Sequence, residues 1–409
     1  MSGGALQGVR VLDLSRILAA PFASQMLGDL GADVIKVERP GAGDDSRSYG
    51  PPFLTDRAGN PTDDAAFYLS CNRNKRSIAV DHATAAGREI IVKLAMQSDV
   101  LIENFRPGVL AKYGLDYASL AALNPRLIYC SVTGFGQDGP YANRPGYDGV
   151  FQAMSGMMSV SGLPDGVPGG GPMKVGVSMI DILAGLYASN AILAALRHRD
   201  QASGKGQYID LALLDCGVAA LSHYVQNYLV SGHIPERRGN GGFGGIPSQS
   251  FRCADGDIFL VASTLKQFRA LAEVIGQPEL ANDPRFATVQ GRIANRDALL
   301  AILDAVFVTR SVADWLAVLE AADVPVSPVN DLDGVFANPQ VQHRGLLQEV
   351  DHPVAGPLKL VRNPIRMSDA DSGTVTVPPG VGEQTDAVLG ELGYDARAIS
   401  ALRSTGVTG

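Results

Sequence analysis

Short runs of β-branched residues alternate with helical stretches over the first third of the chain, and that alternation admits few architectures. Residues 9–14, 33–38, 77–81, 99–103 and 126–132 read as strands. Between them lie helical stretches, among them 21–30, which has Pro21 in its first turn, and 83–96. Parallel neighbours need a crossover of a dozen residues or more, commonly a helix, and this spacing supplies one each time. The alternation therefore predicts an α/β domain with a mostly parallel sheet.

The pattern then changes. Two long helical stretches at 177–197 and 211–230 are joined by the segment 204–210, and a glycine-rich run at 239–247 marks a break in composition. Beyond the break, 250–252 and 258–262 flank the turn Ala254-Asp255-Gly256 and read as a β-hairpin. Helices at 266–275 and 296–306 complete a smaller α+β domain.

Composition removes several classes of function. With 46% hydrophobic and 19% charged residues, the 409-residue chain can bury a sizeable core. A net charge of −8 leaves no broad basic face, so nucleic acid is not an expected partner. Cys71, Cys130, Cys216 and Cys253 are scattered, and residues 1–8 lack the apolar stretch of a secretory leader. Reduced thiols and a cytoplasmic location are the expectation. No histidine pair falls at i, i+4, so no metal site is expected. The apolar segment 175–196 approaches bilayer-spanning length, but Ser178, Asp181, Gly185, Ser189 and Asn190 interrupt it. It reads as a buried helix, and no membrane partner is expected.

The familiar catalytic signatures are missing. There is no G-x-x-x-x-G-K-[ST], no G-x-S-x-G, and no G-x-G-x-x-G after the first strand. Gly134-Phe135-Gly136-Gln137-Asp138-Gly139 looks like the last of these but has no helical pattern behind it, and reads as a loop. Asp181 stands out as the one ionisable side chain with full charge between Lys174 and Arg197, near the start of an apolar helix. It reads either as an N-cap or as a desolvated carboxylate nucleophile held ionised by the helix end, and the two roles are compatible. The run Gly241-Gly242-Phe243-Gly244-Gly245 is either a linker or a flap whose bare backbone donates N–H groups to an oxyanion. Arg39, Lys75, Arg76, Arg106 and Lys112 fall at strand ends or in loops, where together they can hold a polyanionic nucleotide at the carboxyl edge of the sheet.

Four ordered blocks stand out: Leu27-Gly28-Asp29-Leu30-Gly31-Ala32-Asp33-Val34-Ile35-Lys36-Val37-Glu38-Arg39-Pro40, Asn72-Arg73-Asn74-Lys75-Arg76-Ser77, Glu103-Asn104-Phe105-Arg106-Pro107-Gly108 and the Gly134–Gly139 run extended by Pro140. In these blocks the chain resembles the class III CoA-transferases, the family of formyl-CoA and carnitine CoA-transferases, with α-methylacyl-CoA racemase as a relative. The likeness runs nearly end to end.

The resemblance implies that Asp181, ahead of Ala194-Ala195-Leu196-Arg197, is the catalytic nucleophile. It places coenzyme A against Leu18, Ala19, Arg39, Asp81, Asn104, Phe105, Arg106, Lys112, Tyr147 and Asp148, and a substrate flap at Gly241, Gly242, Gly244 and Gly245. Acyl-CoA and a free carboxylic acid are the implied substrates, with no metal. Leu18 stands where formyl-CoA transferase has glutamine, which counts against formate. Tyr147 and Arg252 stand where the racemase carries its acid–base pair, and neither can serve in it. A non-catalytic CoA-binding subunit would lack the aspartate.

Runs such as Arg144-Pro145-Gly146-Tyr147-Asp148 and Leu221-Ser222-His223 are most similar to the succinate–hydroxymethylglutarate branch, which implies dicarboxylic acyl groups. A distal carboxylate would call for a cation, for which Arg144 and Arg16 are candidates, then Arg237 and Arg238. The family fold implied is an interlocked homodimer. Its large Rossmann-like domain would hold residues 1–205 and a return segment 331–409, with a linking helix at 206–232 and a small domain at 233–330.

Overall fold

Five of the predicted runs, and one the pattern did not mark, form a single parallel sheet in the computed structural model, which describes residues 3–242, 244–371 and 375–409. The strands are β1 (Arg10–Asp13), β2 (Asp33–Glu38), β3 (Lys75–Ala79), β4 (Val100–Glu103), β5 (Ile128–Thr133) and β6 (Tyr208–Ala212). Their order is β3-β2-β1-β4-β5-β6, and every neighbouring pair is parallel. This is the doubly wound order, in which connections leave β1 and β4 in opposite directions and open a crevice at their carboxyl ends.

Strand β6 escaped the sequence pattern because it is an edge strand. Tyr208 and Asp210 lie on its exposed side, and the preceding Gly204-Lys205-Gly206 reads as a linker.

Alternation along the strands separates two apolar layers. Val11, Val34, Ile102 and Ile128 face helices α1 (Ala19–Asp29) and α4 (Met179–His198). Leu12, Ile35 and Leu101 face α2 (Ala85–Met96) together with Val388, Leu389 and Ile399 near the chain end. Each fully buried aliphatic side chain of this kind is worth about 1.5–3 kcal/mol. Two further helices matter below, α3 (Asp148–Met154) and α5 (Leu213–Ala220). Helices α1 and α4 pack closely because residue 185 is glycine; a Cβ there would meet the Ala19 carbonyl oxygen at 2.7 Å.

The chain divides into two compact units. The first comprises Met1–Met157, Val175–Ser231 and His343–Gly409; the second comprises Met158–Lys174 and Gly232–Gln342. This differs from the expected segmentation in three places. Residues 158–174 belong with the second unit, and so does the stretch from 331 to 342. The expected linking helix is strand β6 followed by α5 and His223–Ser231, all within the first unit. The second unit is built on an antiparallel sheet of Ser248–Arg252, Asp257–Val261 and Val326–Pro328, covered by a core containing Phe251, Phe268, Phe307 and Trp315. The hairpin was legible in the sequence; its third strand was too short to be.

Candidate active site

The loop after β1 enters the crevice under tension. Ile17 has φ 74°, a left-handed conformation that costs a β-branched residue about 1–3 kcal/mol. Its surroundings hold it there. Asn104, just after β4, accepts the Arg16 N–H at 2.9 Å and returns a hydrogen bond to the Arg16 carbonyl at 2.7 Å. The Asp44 carboxylate accepts the Ile17 N–H at 3.1 Å, and Lys36 donates to the Ser15 carbonyl at 2.9 Å.

Beneath this loop lies a buried ionic cluster. Lys36 pairs with Asp44 at 2.7 Å and Lys75 with Asp13 at 3.0 Å, all four side chains being fully buried. Burial alone would raise the Asp13 and Asp44 pKa values. The neighbouring ammonium groups and serine hydroxyls more than reverse that, and both carboxyls are held below the ordinary value of 3.8.

A cavity of about 340 Å³ opens where the loops after β1, β4 and β5 meet the amino end of α4. Its walls include Leu18, Ala19, Asn104, Phe105, Arg106, Tyr147 and Asp181, so the fold gathers six of the ten expected CoA contacts around the expected nucleophile. Arg16 and Arg144 line it too. Arg16 pairs with Asp45 at 2.9 Å, and the Arg144 guanidinium lies 3.7 Å over the Tyr141 ring. Phe105 also borders a smaller pocket that contains Arg39 and His82. Arg39 is paired there with Asp45.

Asp181 is the third residue of α4, and its position corrects the N-cap reading. The cap comes from α3, where the buried Asp148 carboxylate accepts the N–H of Ile180 at 2.7 Å and of Asp181 at 3.3 Å. Asp148 therefore faces the helix, where a CoA contact was expected. The Asp181 carboxylate accepts no hydrogen bond among the described residues and is half-buried at the cavity wall. Burial first, and the Asp148 charge second, push its pKa from 3.8 up to about 7. Burial and the Asp148 charge thus oppose the ionisation that the helix end was expected to secure, and the carboxyl is poised near neutrality.

Other expectations part from the structure. Lys75 and Arg76 do not reach the crevice: Lys75 is spent on Asp13, and Arg76 pairs with Asp33 and Glu391 at the start of the strands. Sequence position could not reveal those partners, which lie far off along the chain. The Asp81 carboxylate accepts the Ala83 N–H at 2.9 Å within a turn, and Lys112 is exposed on the turn Leu110–Tyr113; neither lines these two cavities.

The glycine run belongs to the second unit, with Phe243 outside the described residues. Gly241 and Gly242 donate their N–H groups to the carbonyls of Arg238 and Ser248, at 2.9 and 2.7 Å, so those two donors are already used. Arg237 is likewise engaged, by Asp165. Ile17, Thr133 and Leu213 on the cavity wall are among the residues the sequence did not flag, and Glu103, quoted only within a family block, acts through the turn after β4. The Glu103 carboxylate accepts the Phe105 N–H at 2.8 Å and fixes the turn that carries the ring. Among the described residues, no group of three or more His, Cys, Asp or Glu side chains is placed to hold a metal ion.

The sequence profile of CoA-transferase family III matches residues 6–385. The chain belongs to CoA-transferase family III. Acyl-CoA is the co-substrate of such enzymes. The chain is 43% identical to the human succinyl-CoA:glutarate CoA-transferase over 98% of its own length and 89% of the relative's. It is 45% identical to the succinate–glutarate CoA-transferase of Agrobacterium fabrum over 95% of both chains. The crystal structure of a CAIB/BAIF family protein from Brucella suis superimposes with a TM-score of 0.84 at 44% identity, covering 96% of this chain and all of that one. The family III fold is thus the frame in which the cavity and Asp181 are set.

Proposed function

We propose that this family III CoA-transferase moves CoA from succinyl-CoA or a similar dicarboxylic acyl-CoA to a free dicarboxylate, with Asp181 as the covalent nucleophile. One observation carries the reading: an unengaged carboxylate at the amino end of α4, open to a cavity whose charged walls include Arg16, Arg106 and Arg144. In its ionised form Asp181 attacks the thioester carbonyl carbon. The C–S bond breaks, CoA leaves as thiolate, and an aspartyl–acyl mixed anhydride remains. The thiolate then attacks the aspartyl carbonyl, the donor acid departs as carboxylate, and Asp181 carries CoA as a thioester. An acceptor carboxylate runs both steps in reverse. The acyl group stays activated throughout, so no nucleotide hydrolysis is needed.

Leu18, Ala19, Asn104, Phe105, Arg106 and Tyr147 would flank the CoA chain, with Arg39 of the neighbouring pocket and the exposed Lys112 as the cations for its phosphates. The distal carboxylate of a dicarboxylic acyl group would meet Arg16 or Arg144, each able to bind it bidentately. The relatives named for succinate and glutarate support that substrate class. An interlocked homodimer belongs to the same reading, and the exposed Leu229 and Val230 support it. The racemase alternative gains nothing from Arg252, which pairs with Asp257 at 3.3 Å.

The test is a panel of acyl-CoA donors and free acids followed by mass spectrometry. Succinyl-CoA or glutaryl-CoA is expected to exceed acetyl-CoA and formyl-CoA by at least about tenfold in kcat/KM, or roughly 1.4 kcal/mol in the transition state. A panel led by monocarboxylic donors would remove the dicarboxylate reading and leave transferase chemistry in place. Hydroxylamine trapping after incubation with acyl-CoA should modify Asp181 alone.

A further inference from the structure

Two buried groups converge on the segment that delivers Asp181, and both come from α3. Gln152 donates to the carbonyls of Val175 and Val177 at 3.3 and 3.2 Å and accepts the Val175 N–H at 2.9 Å. Asp148, one turn earlier, takes the N–H groups of Ile180 and Asp181 in the first turn of α4 and is itself steadied by the Gln152 amide at 2.6 Å. An asparagine or serine would cap a helix about as well as aspartate does. What aspartate adds is a negative charge next to a second carboxylate.

We propose that Asp148 is a positioning residue for the nucleophile: it fixes the amino end of α4 and, as a neighbouring negative charge, sets the pH at which Asp181 ionises. The inference rests on Asp181 being the nucleophile. A more basic carboxylate is a stronger nucleophile once ionised, and the charge beside it opposes ionisation until near neutral pH.

The surroundings leave Asp148 as the charge that matters. The cavity wall adds Arg16, Arg106, Arg144 and Tyr147. Helix α5 contributes Asp215 and Cys216, β5 contributes Tyr129 and Cys130, and β6 contributes Tyr208 and Asp210. Helix α1 carries its one charge, Asp29, at its far end, and Arg199 and Asp200 follow the far end of α4. Of all these groups, only Asp148 adds to burial in raising the Asp181 pKa.

The experiment is the pH profile of kcat/KM for Asp148→Asn, which keeps an acceptor for both N–H groups and removes the charge. The acid limb is expected to move down by about one pH unit, with KM for acyl-CoA nearly unchanged. A limb that stays in place while kcat falls would reduce Asp148 to a plain helix cap and overturn the proposal. Asp148→Ser, a second neutral cap, gives the same reading should the asparagine variant not fold. Melting temperature against pH gives a readout independent of turnover: the neutral cap should weaken the pH dependence contributed by Asp181 and have no such effect in an Asp181→Asn background. Transfer surviving in Asp181→Asn alone would defeat the nucleophile assignment; an inactive Asp181→Asn with an unmoved limb in Asp148→Asn would defeat only the role of Asp148.

Discussion

Aspartates are withdrawn from water in two regions of the first unit, with opposite results. Below the crevice, Asp13 and Asp44 each sit against a fully buried lysine, and their charged forms are favoured. At the amino end of α4, Asp181 has a second carboxylate for a neighbour and no cation on its oxygens among the described residues, and its charged form is disfavoured. Burial is common to both; the sign of the neighbouring charge decides the outcome. The paired region holds a strained loop in place, and the unpaired one keeps a carboxylate reactive.

Removing each charge should break the contrast most directly. Asp181→Asn should lower CoA transfer by at least about a thousandfold, on the order of 4 kcal/mol in the barrier, while leaving the fold intact. Single-turnover assays with mass verification against deamidation measure this. Lys36→Met should do the reverse, costing about 3–5 kcal/mol of stability because Asp44 is left buried without its partner. Urea unfolding reports it, and a change below about 1 kcal/mol would show that the cluster is structurally unimportant.

The pH dependences should differ in direction. The folded-state pKa of Asp181, about 7, lies above its unfolded value near 3.8, so the folded form holds the proton more tightly. The resulting cost is absent below about pH 4, grows as pH rises to about 7, and is constant above; Asp181→Asn should therefore gain on the order of 4 kcal/mol relative to wild type across that window. Asp13 and Asp44 have depressed values, so their stabilisation is present above pH 3.8 and lost as pH falls below it. Denaturant titrations at a series of pH values distinguish the two slopes.

The smallest expected effect concerns specificity. Arg144→Ala should reduce kcat/KM for succinyl-CoA about tenfold and leave acetyl-CoA within about twofold. Equal losses on both donors would assign Arg144 to CoA and not to the distal carboxylate.

The sequence by itself determined the parallel α/β sheet, the family, the helix that presents Asp181 and most of the loops that form its cavity. These features are encoded locally: a β-branched run makes a strand wherever the chain goes, and Asn104-Phe105-Arg106 follows its strand directly into the crevice. What only the tertiary structure decided is what each charged group does. Lys75 looked like a phosphate ligand until the fold brought it to Asp13, 62 residues away in sequence. Asp148 looked like a CoA contact until the fold laid it against the N–H groups of a helix that begins 31 residues later. Edge strand β6, half polar and preceded by glycines, became a strand only because β5 offered it a hydrogen-bonding partner. Periodicity is a property of neighbouring residues, whereas ionisation depends on whatever charge lies within a few ångströms, and long-range contacts set that distance.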